Sequence, residues 1–288
     1  MNPLDVTRSM MDGLGAEGDV CMKCGSRSLG LCAPLDAAAL DDMAADSERV
    51  TLEPRAPIFH QGDDARYVYT LTEGMARLMR VLPDGRQAAI GFRFAGDILG
   101  FTPSQEHAFG AEMLTGGRVC RMERRRLEQL FRRYPLLERR FLDLCTRELA
   151  QSQEHIMALG RFTAEERVAA FLLSLVDAQR RRGHKGPVFD LPATRADIGE
   201  FLGLTLETVS RAISSFRRRN LIRLHGQSGI EILNEGALTA LGTGEGEDAA
   251  STAQHSRMRD AAIDFTQHKE AAHVRFAAPG GYRRRRPA

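Results

Sequence analysis

The 288-residue chain is 43% apolar and 27% charged, with 40 basic against 38 acidic side chains for a net charge of +2, the profile of a globular protein of up to two domains. Its longest near-continuous apolar run, Val168 to Val176, is interrupted by Ser174 and falls far short of the roughly 20 residues that cross a bilayer. The N-terminus mixes Asp5, Asp12, Glu17 and Asp19 with Arg8 and several glycines, which is not the basic-then-apolar order of a secretory leader, so a cytoplasmic protein is expected.

Residues 1–20 show little periodicity and are expected to form a mobile leader. Three of the five cysteines follow as Cys21-x2-Cys24-x7-Cys32. In a reducing compartment, grouped thiols point to metal ligation or redox sensing before disulfides, and residues 1–34 are read as a cysteine-containing loop. Leu35, Ala39, Leu40 and Met43 then recur at helical spacing and predict a short helix. From residue 50 to 122 the character changes. Apolar-rich runs at Arg66–Thr72, Ala76–Leu82 and Ala88–Phe94 are divided by turn signals at Pro54, Gln61-Gly62-Asp63, Glu73-Gly74, Pro83-Asp84-Gly85 and Ala95-Gly96-Asp97. Many short strands at such spacing predict a β-roll, set at 35–134, with Cys120 on one of its strands.

Residues 123–133 predict a short helix, Pro135 restarts the chain, and a long helical pattern runs from Leu136 to about Leu159, taken as a segment at 135–160. Within it Leu142, Cys145, Leu149, Ser152, Ile156 and Leu159 follow spacings of 3, 4, 3, 4 and 3, the rhythm of a coiled-coil seam. A second face, Leu137, Phe141 and Leu144, suits packing on the β-roll. A helix with two apolar faces predicts a homodimer. Cys145 reads as a small apolar residue of the seam and is left out of any ligand set.

A further helix at 163–182 opens on the capping box Thr163-Ala164-Glu165-Glu166. A strand at 188–191, helices at 194–203 and 205–219, and a hairpin at 221–224 and 230–233 complete a second domain over 161–240. Residues 241–288 are Gly-, Ala- and charge-rich, end in Tyr282-Arg283-Arg284-Arg285-Arg286, and are expected to be a disordered tail. The fold class is thus α+β: a β-roll, a long dimerisation helix and a C-terminal winged helix–turn–helix.

The net charge alone announces no nucleic-acid binder, but its distribution does. Between Thr205 and His225 five arginines face one acid, Glu207, a surplus of +4 over 21 residues. The run from Thr194 to Thr205 has helix–turn–helix grammar, with Gly203 in the turn and Thr205 as N-cap. Ile198, Leu202, Leu204, Val209 and Ile213 are placed to hold the two helices together. Glu207, Ser210 and Arg211 then share one face of the second helix. Arg211 suits guanine O6 and N7, Glu207 suits cytosine N4, and Ser210 suits either partner. Thr205, Arg217, Arg218 and Arg219 suit phosphates.

The cysteines leave alternatives open. Cys21, Cys24, Cys32 and Cys120 offer four soft thiolates, which suit a [4Fe–4S] cluster or a structural zinc, and spacing alone does not choose. A thiol–disulfide enzyme built on Cys21-x2-Cys24 would need that motif to open a helix within a βαβ unit, whereas here it precedes an all-β region. No Ser/His/Asp arrangement, phosphate-cradling loop or Walker-type motif is present, so an enzyme is not expected.

Asp197-Ile198-Gly199 and Leu204-Thr205-x-Glu207-Thr208-Val209-Ser210-Arg211 resemble the winged helix–turn–helix of the CRP/FNR transcription regulators, and the Glu-x2-Ser-Arg triplet resembles the form used by its FNR branch. The resemblance spans about residues 21–240 and follows the same domain order. It implies a palindromic TTGAT-like site, base contacts from Glu207, Ser210 and Arg211, and two recognition helices about 34 Å apart in successive major grooves. It also implies a [4Fe–4S] cluster on Cys21, Cys24, Cys32 and Cys120, although the gap between the second and third cysteines is longer than in the family's best-known member. Loss of the cluster to oxygen would then loosen the dimer, with Leu29 and Leu31 placed to restrict oxidant access. The turn Pro83-Asp84-Gly85-Arg86 resembles the family's RNA polymerase contact. Gly96-Asp97-Ile98-Leu99-Gly100 resembles the cyclic-nucleotide signature, but Glu106-His107-Ala108 stands where an arginine and a hydroxyl would hold the phosphate, so no cyclic nucleotide is expected. A zinc-stabilised or thiol-redox regulator of the same family is the rival reading.

Overall fold

A computed structural model describes residues 21–244; the expected leader and most of the expected tail lie outside them. The chain enters through a series of tight turns and reaches α1 (Ala37–Ala45), capped by Asp36, whose carboxylate accepts from the Ala39 amide at 2.9 Å. Eight strands follow: β1 (Ser47–Leu52), β2 (Pro57–Phe59), β3 (Tyr67–Glu73), β4 (Met75–Val81), β5 (Gln87–Phe94), β6 (Ile98–Leu99), β7 (Gly110–Met113) and β8 (Gly117–Glu123). They pair antiparallel in two four-stranded sheets, ordered β1-β8-β3-β6 and β2-β7-β4-β5. Alternate residues point inward, and Ile58, Phe59, Tyr69, Leu71, Leu78, Met113 and Val119 fill the space between the sheets. This is the expected β-roll.

Helix α2 (Arg124–Arg133) leads into α3 (Pro135–Arg161), 27 residues long with its proline in the first turn, where a missing N–H costs nothing. The first turns of α3 bury Leu137 and Phe141 against α1, α2, Val68 and Met122. Leu31 and Leu35 join that cluster at 2% and 5% exposure. The segment bearing the cysteine trio is therefore not the free loop expected from its glycines: two leucines anchor it.

The other face of α3 is apolar and uncovered in the single chain. Leu142, Leu149 and Ile156 are 57%, 58% and 68% exposed. Cys145, read as a buried seam residue, is exposed too.

Helix α4 (Ala164–Arg181) begins at the Thr163 capping box, in which both reciprocal bonds are made. Then come β9 (Val188–Asp190), α5 (Arg195–Leu202), α6 (Leu206–Arg218), β10 (Ile222–His225) and β11 (Gly229–Ile232), with a sheet ordered β10-β11-β9. The elbow between α5 and α6 is tight. Gly203 adopts the left-handed conformation (φ 64°, ψ 37°), which glycine reaches without a Cβ penalty. A Cβ on Gly199 would lie 2.7 Å from the Leu204 carbonyl oxygen. A last helix, α7 (Glu235–Gly242), was not anticipated and runs into the region read as tail. Asn234 caps it, and Leu238 is fully buried in the core shared with α4.

Candidate functional site

The buried face of α6 consists of Val209, Ala212, Ile213 and Phe216, which lock into Val168, Leu172 and Leu175 of α4 and Ile198 and Leu202 of α5. That packing turns the opposite face outward. Glu207 and Arg211 are exposed and Ser210 is half-buried, and Ser210 and Arg211 line a shallow groove with Thr208, Arg218 and Glu165. Thr205 caps the helix, its hydroxyl accepting from the Thr208 amide at 3.2 Å. The backbone N–H of Glu207, the Thr205 hydroxyl and the nearby Arg211 guanidinium hold the Glu207 carboxyl below the usual carboxylate range, so it is ionised and ready to accept.

Arg217 and Arg218 are exposed beyond these groups, while Arg219 pairs with Glu165 at 3.3 Å. On the hairpin, Glu231 accepts from Arg223 at 2.9 Å and meets His225 at 2.8 Å. The sequence reading counted Arg223 in the basic stripe but did not see that one carboxylate holds both hairpin groups.

A second set of charges, unforeseen in the sequence, docks α5 on the β-roll. Asp197 is only 5% exposed at its side chain and accepts from the Thr194 amide and hydroxyl, each at 2.8 Å. It is also ion-paired to Arg55 at 3.2 Å and to Arg77. Glu112 lies 3.3 Å from Arg55 and 3.5 Å from Arg77. Phe201 extends the contact by stacking on His155 of α3, ring centroids 4.0 Å apart, and meeting Phe92 of β5 edge-on.

Burial alone would raise the Asp197 carboxyl, but the bonds from Arg55 and Thr194 and the charge of Arg77 outweigh it and leave the carboxyl below its ordinary value. A depressed folded-state value contributes stability that is fully present above the unfolded value, near 3.9, and is lost as pH falls through the folded one. Thermal melts taken down a pH series should therefore show the protein losing stability in acid, and an Asp197→Asn variant should lose less over the same interval. Parallel curves for the two proteins would refute this role.

The four candidate ligands sit at the edge of the sheet. Arg49 of β1 pairs across strands with Cys120 of β8 and donates to the Cys21 sulfur at 3.3 Å. The Cys24 sulfur and the Ser26 hydroxyl are also 3.3 Å apart. Burial, then the neighbouring Cys120, Cys21 and Cys24 thiols, push the Cys32 thiol up to about 12, with Arg27 opposing. Burial likewise raises Cys120, and Cys21 and Cys24 add to it. The four thiols are thus electrostatic neighbours. Among the described residues, however, no group of three or more His, Cys, Asp or Glu is closed around the position of a single metal ion.

His107 is 4% exposed and stacks on Phe59 with centroids 4.0 Å apart. Burial lowers its pKa, so at neutral pH it offers no cation where the cyclic phosphate would need one. Among the described residues, no helix is long and apolar enough to cross a membrane.

Residues 166–241 match the Crp-like helix–turn–helix domain, and residues 49–134 match the cyclic nucleotide-binding domain. The chain is 37% identical over 218 residues to the transcriptional activatory protein AadR of Rhodopseudomonas palustris, an alignment covering 76% of this chain and 91% of that one. It is 36% identical over 225 residues to the nitrogen fixation regulation protein FixK of Bradyrhizobium diazoefficiens, covering 78% and 94%. It is 31% identical over 224 residues to the fumarate and nitrate reduction regulatory protein of Vibrio cholerae, covering 77% and 89%. Among solved structures, FixK2 from Bradyrhizobium japonicum superimposes with a TM-score of 0.62 at 32% identity, covering 68% of this chain and 96% of that one.

Proposed function

Because the chain belongs to the CRP/FNR family of DNA-binding transcription regulators, in its oxygen- and redox-responsive branch, we propose that Cys21, Cys24, Cys32 and Cys120 hold a [4Fe–4S] cluster governing a homodimer on a palindromic TTGAT-like site. It is a regulator and not an enzyme. What carries the reading is the mutual proximity of these four thiols, three from one anchored segment and one from a strand of the roll. The donor chemistry fits: iron–sulfur clusters take thiolate ligands. A single tetrahedral zinc would draw four sulfurs about one point, and the thiols are not gathered so closely. When bound, the cluster supplies an oxygen-labile tie between the cysteine segment and β8.

The chain's own residues do the rest. Leu31 and Leu35 dock the cysteine segment on the base of α3. The exposed stripe Leu142, Leu149 and Ile156 pairs two subunits. Paired subunits present two copies of Glu207, Ser210 and Arg211 to base edges, and Thr205, Arg217, Arg218 and Arg219 to phosphates. The β-roll holds no cyclic nucleotide in this reading, since Glu106-His107-Ala108 supplies neither the arginine nor the hydroxyl its phosphate would need. The turn at Pro83–Arg86, stiffened by the Asp84–Arg86 pair at 2.7 Å, is the proposed RNA polymerase contact, and the site of action is the cytoplasm.

The test is an absorption spectrum with iron and sulfide counts on anaerobically isolated protein, before and after air, for the wild type and for Cys120→Ala. A broad visible band bleached by air and missing in the variant is the expected result. A colourless protein containing zinc would move the assignment to a zinc-stabilised regulator. A colourless, metal-free protein whose operator binding follows thiol oxidation would move it to a thiol-redox switch.

A further inference from the structure

Arg182, which follows α4 as its C-cap, reaches out of the DNA-binding domain to the β-roll turn at Ala95–Asp97. Its Nε donates to the Ala95 carbonyl at 2.7 Å, one terminal nitrogen donates to the Asp97 carboxylate at 2.9 Å, and the other returns to the Ala178 carbonyl of its own helix at 2.8 Å. The guanidinium carbon lies 4.9 Å from the centre of the Phe94 ring. All three nitrogens are engaged, so the side chain is a strut and not a tether. The turn is equally fixed: the Gly96 amide donates to the Leu71 carbonyl at 2.7 Å, the Leu71 amide to the Asp97 carbonyl at 2.9 Å, and the Phe94 amide to the Asp97 carboxylate at 2.8 Å.

The same turn is covered from a second side. Gly96 has φ +100°, and a Cβ there would lie 2.9 Å from the Cβ of Leu29; a Cβ on Gly30 would lie 3.1 Å from the Gly96 carbonyl oxygen. Backbone thus rests on backbone with no side chain between. Leu29 and Gly30 belong to the stretch between Cys24 and Cys32. Arg140 of α3 holds their carbonyls, donating to Gly30 at 3.1 Å and also to Leu29.

We infer that Arg182 is a positioning residue for DNA binding, fixing α4 and the recognition helix packed on it to a turn whose other face bears the cysteine segment. A shift of Leu29–Gly30 then reaches the recognition helix inside one subunit, in addition to any effect on pairing of the α3 helices. The inference rests on the cysteine segment being the sensor.

The test uses the full-length protein under strict anaerobiosis and a duplex carrying two TTGAT half-sites. Operator affinity and dimer fraction, the latter by sedimentation, are measured for the wild type, Arg182→Met, Gly30→Ala and the double variant. Gly30→Ala wedges a methyl between the segment and the turn. Arg182→Met is expected to weaken binding about tenfold, Gly30→Ala by several-fold, and the double variant no more than Arg182→Met alone, at unchanged dimer fraction. Losses that multiply in the double variant, losses that track the dimer fraction, or wild-type affinity in Arg182→Met would each overturn the proposal. If Arg182→Met fails to fold, Asp97→Asn replaces it in the same cycle with the same expectation. The wild type's response to air is scored separately: indifference there defeats the sensor reading, while the four-protein cycle still decides whether the strut exists.

Discussion

Arg211→Ala is expected to weaken binding to a palindromic operator by about 2–6 kcal/mol, because a bidentate arginine–guanine contact contributes about 1–3 kcal/mol and a symmetric dimer makes it twice. At about 1.4 kcal/mol per decade the lower bound is roughly thirtyfold. Affinity for unrelated duplex should change far less, since the phosphate contacts assigned to Arg217, Arg218 and Arg219 remain. The discriminating measurement is a set of operators mutated one base pair at a time. The variant should lose preference at one symmetry-related pair of positions and keep it elsewhere, whereas Arg218→Gln should lower affinity evenly across all sequences and flatten the salt dependence by about one unit of slope. An Arg211→Ala protein that bound every duplex with an equal loss would show that this side chain contacts only the backbone.

The second large effect is expected on the uncovered stripe of α3. Leu149 and Ile156 are more than half exposed in the single chain, and burying such a side chain contributes about 1.5–3 kcal/mol. Each substitution counts twice in a two-fold seam, and a charge adds its own desolvation cost. Leu149→Glu or Ile156→Glu should therefore yield a monomer at micromolar concentration by sedimentation, with operator affinity falling to that of a single half-site. Thermal stability of the monomer should stay near that of the parent, because neither side chain supports the fold it leaves. A dimer persisting in both variants would place the interface elsewhere.

The sequence made the architecture legible wherever local chemistry recurs at short range. Strands expected at 66–72, 76–82 and 88–94 are found at 67–73, 75–81 and 87–94, and the Thr163 box opens α4 as read. The two faces of α3 were equally plain, because helical periodicity marks both. What stayed hidden depends on distance along the chain. Asp197 reads as an ordinary residue near a helix start. Its second role requires Arg55 and Arg77, which lie 142 and 120 residues away and share no pattern with it. The strut at Arg182 is similar, an arginine in a run of three whose neighbours give no sign of a partner 85 residues upstream. Helix α7 escaped notice because Glu-Gly-Ala-Leu-Thr-Ala-Leu-Gly has weak propensity, with glycine at both ends. It forms because Leu238 finds a place in the core. The cysteine segment looked loose for a related reason, since Leu31 and Leu35 follow no period yet find a partner surface on α1, α2 and α3.

The close approach at Gly199 limits how the molecule can respond to any signal. With the α5 backbone nearly touching the Leu204 carbonyl and Gly203 in a left-handed turn, the angle between the two helices has no slack to give up. The bihelical unit must swing or shift as a solid block, and whatever adjusts its aim has to act at the mounts, not at the elbow.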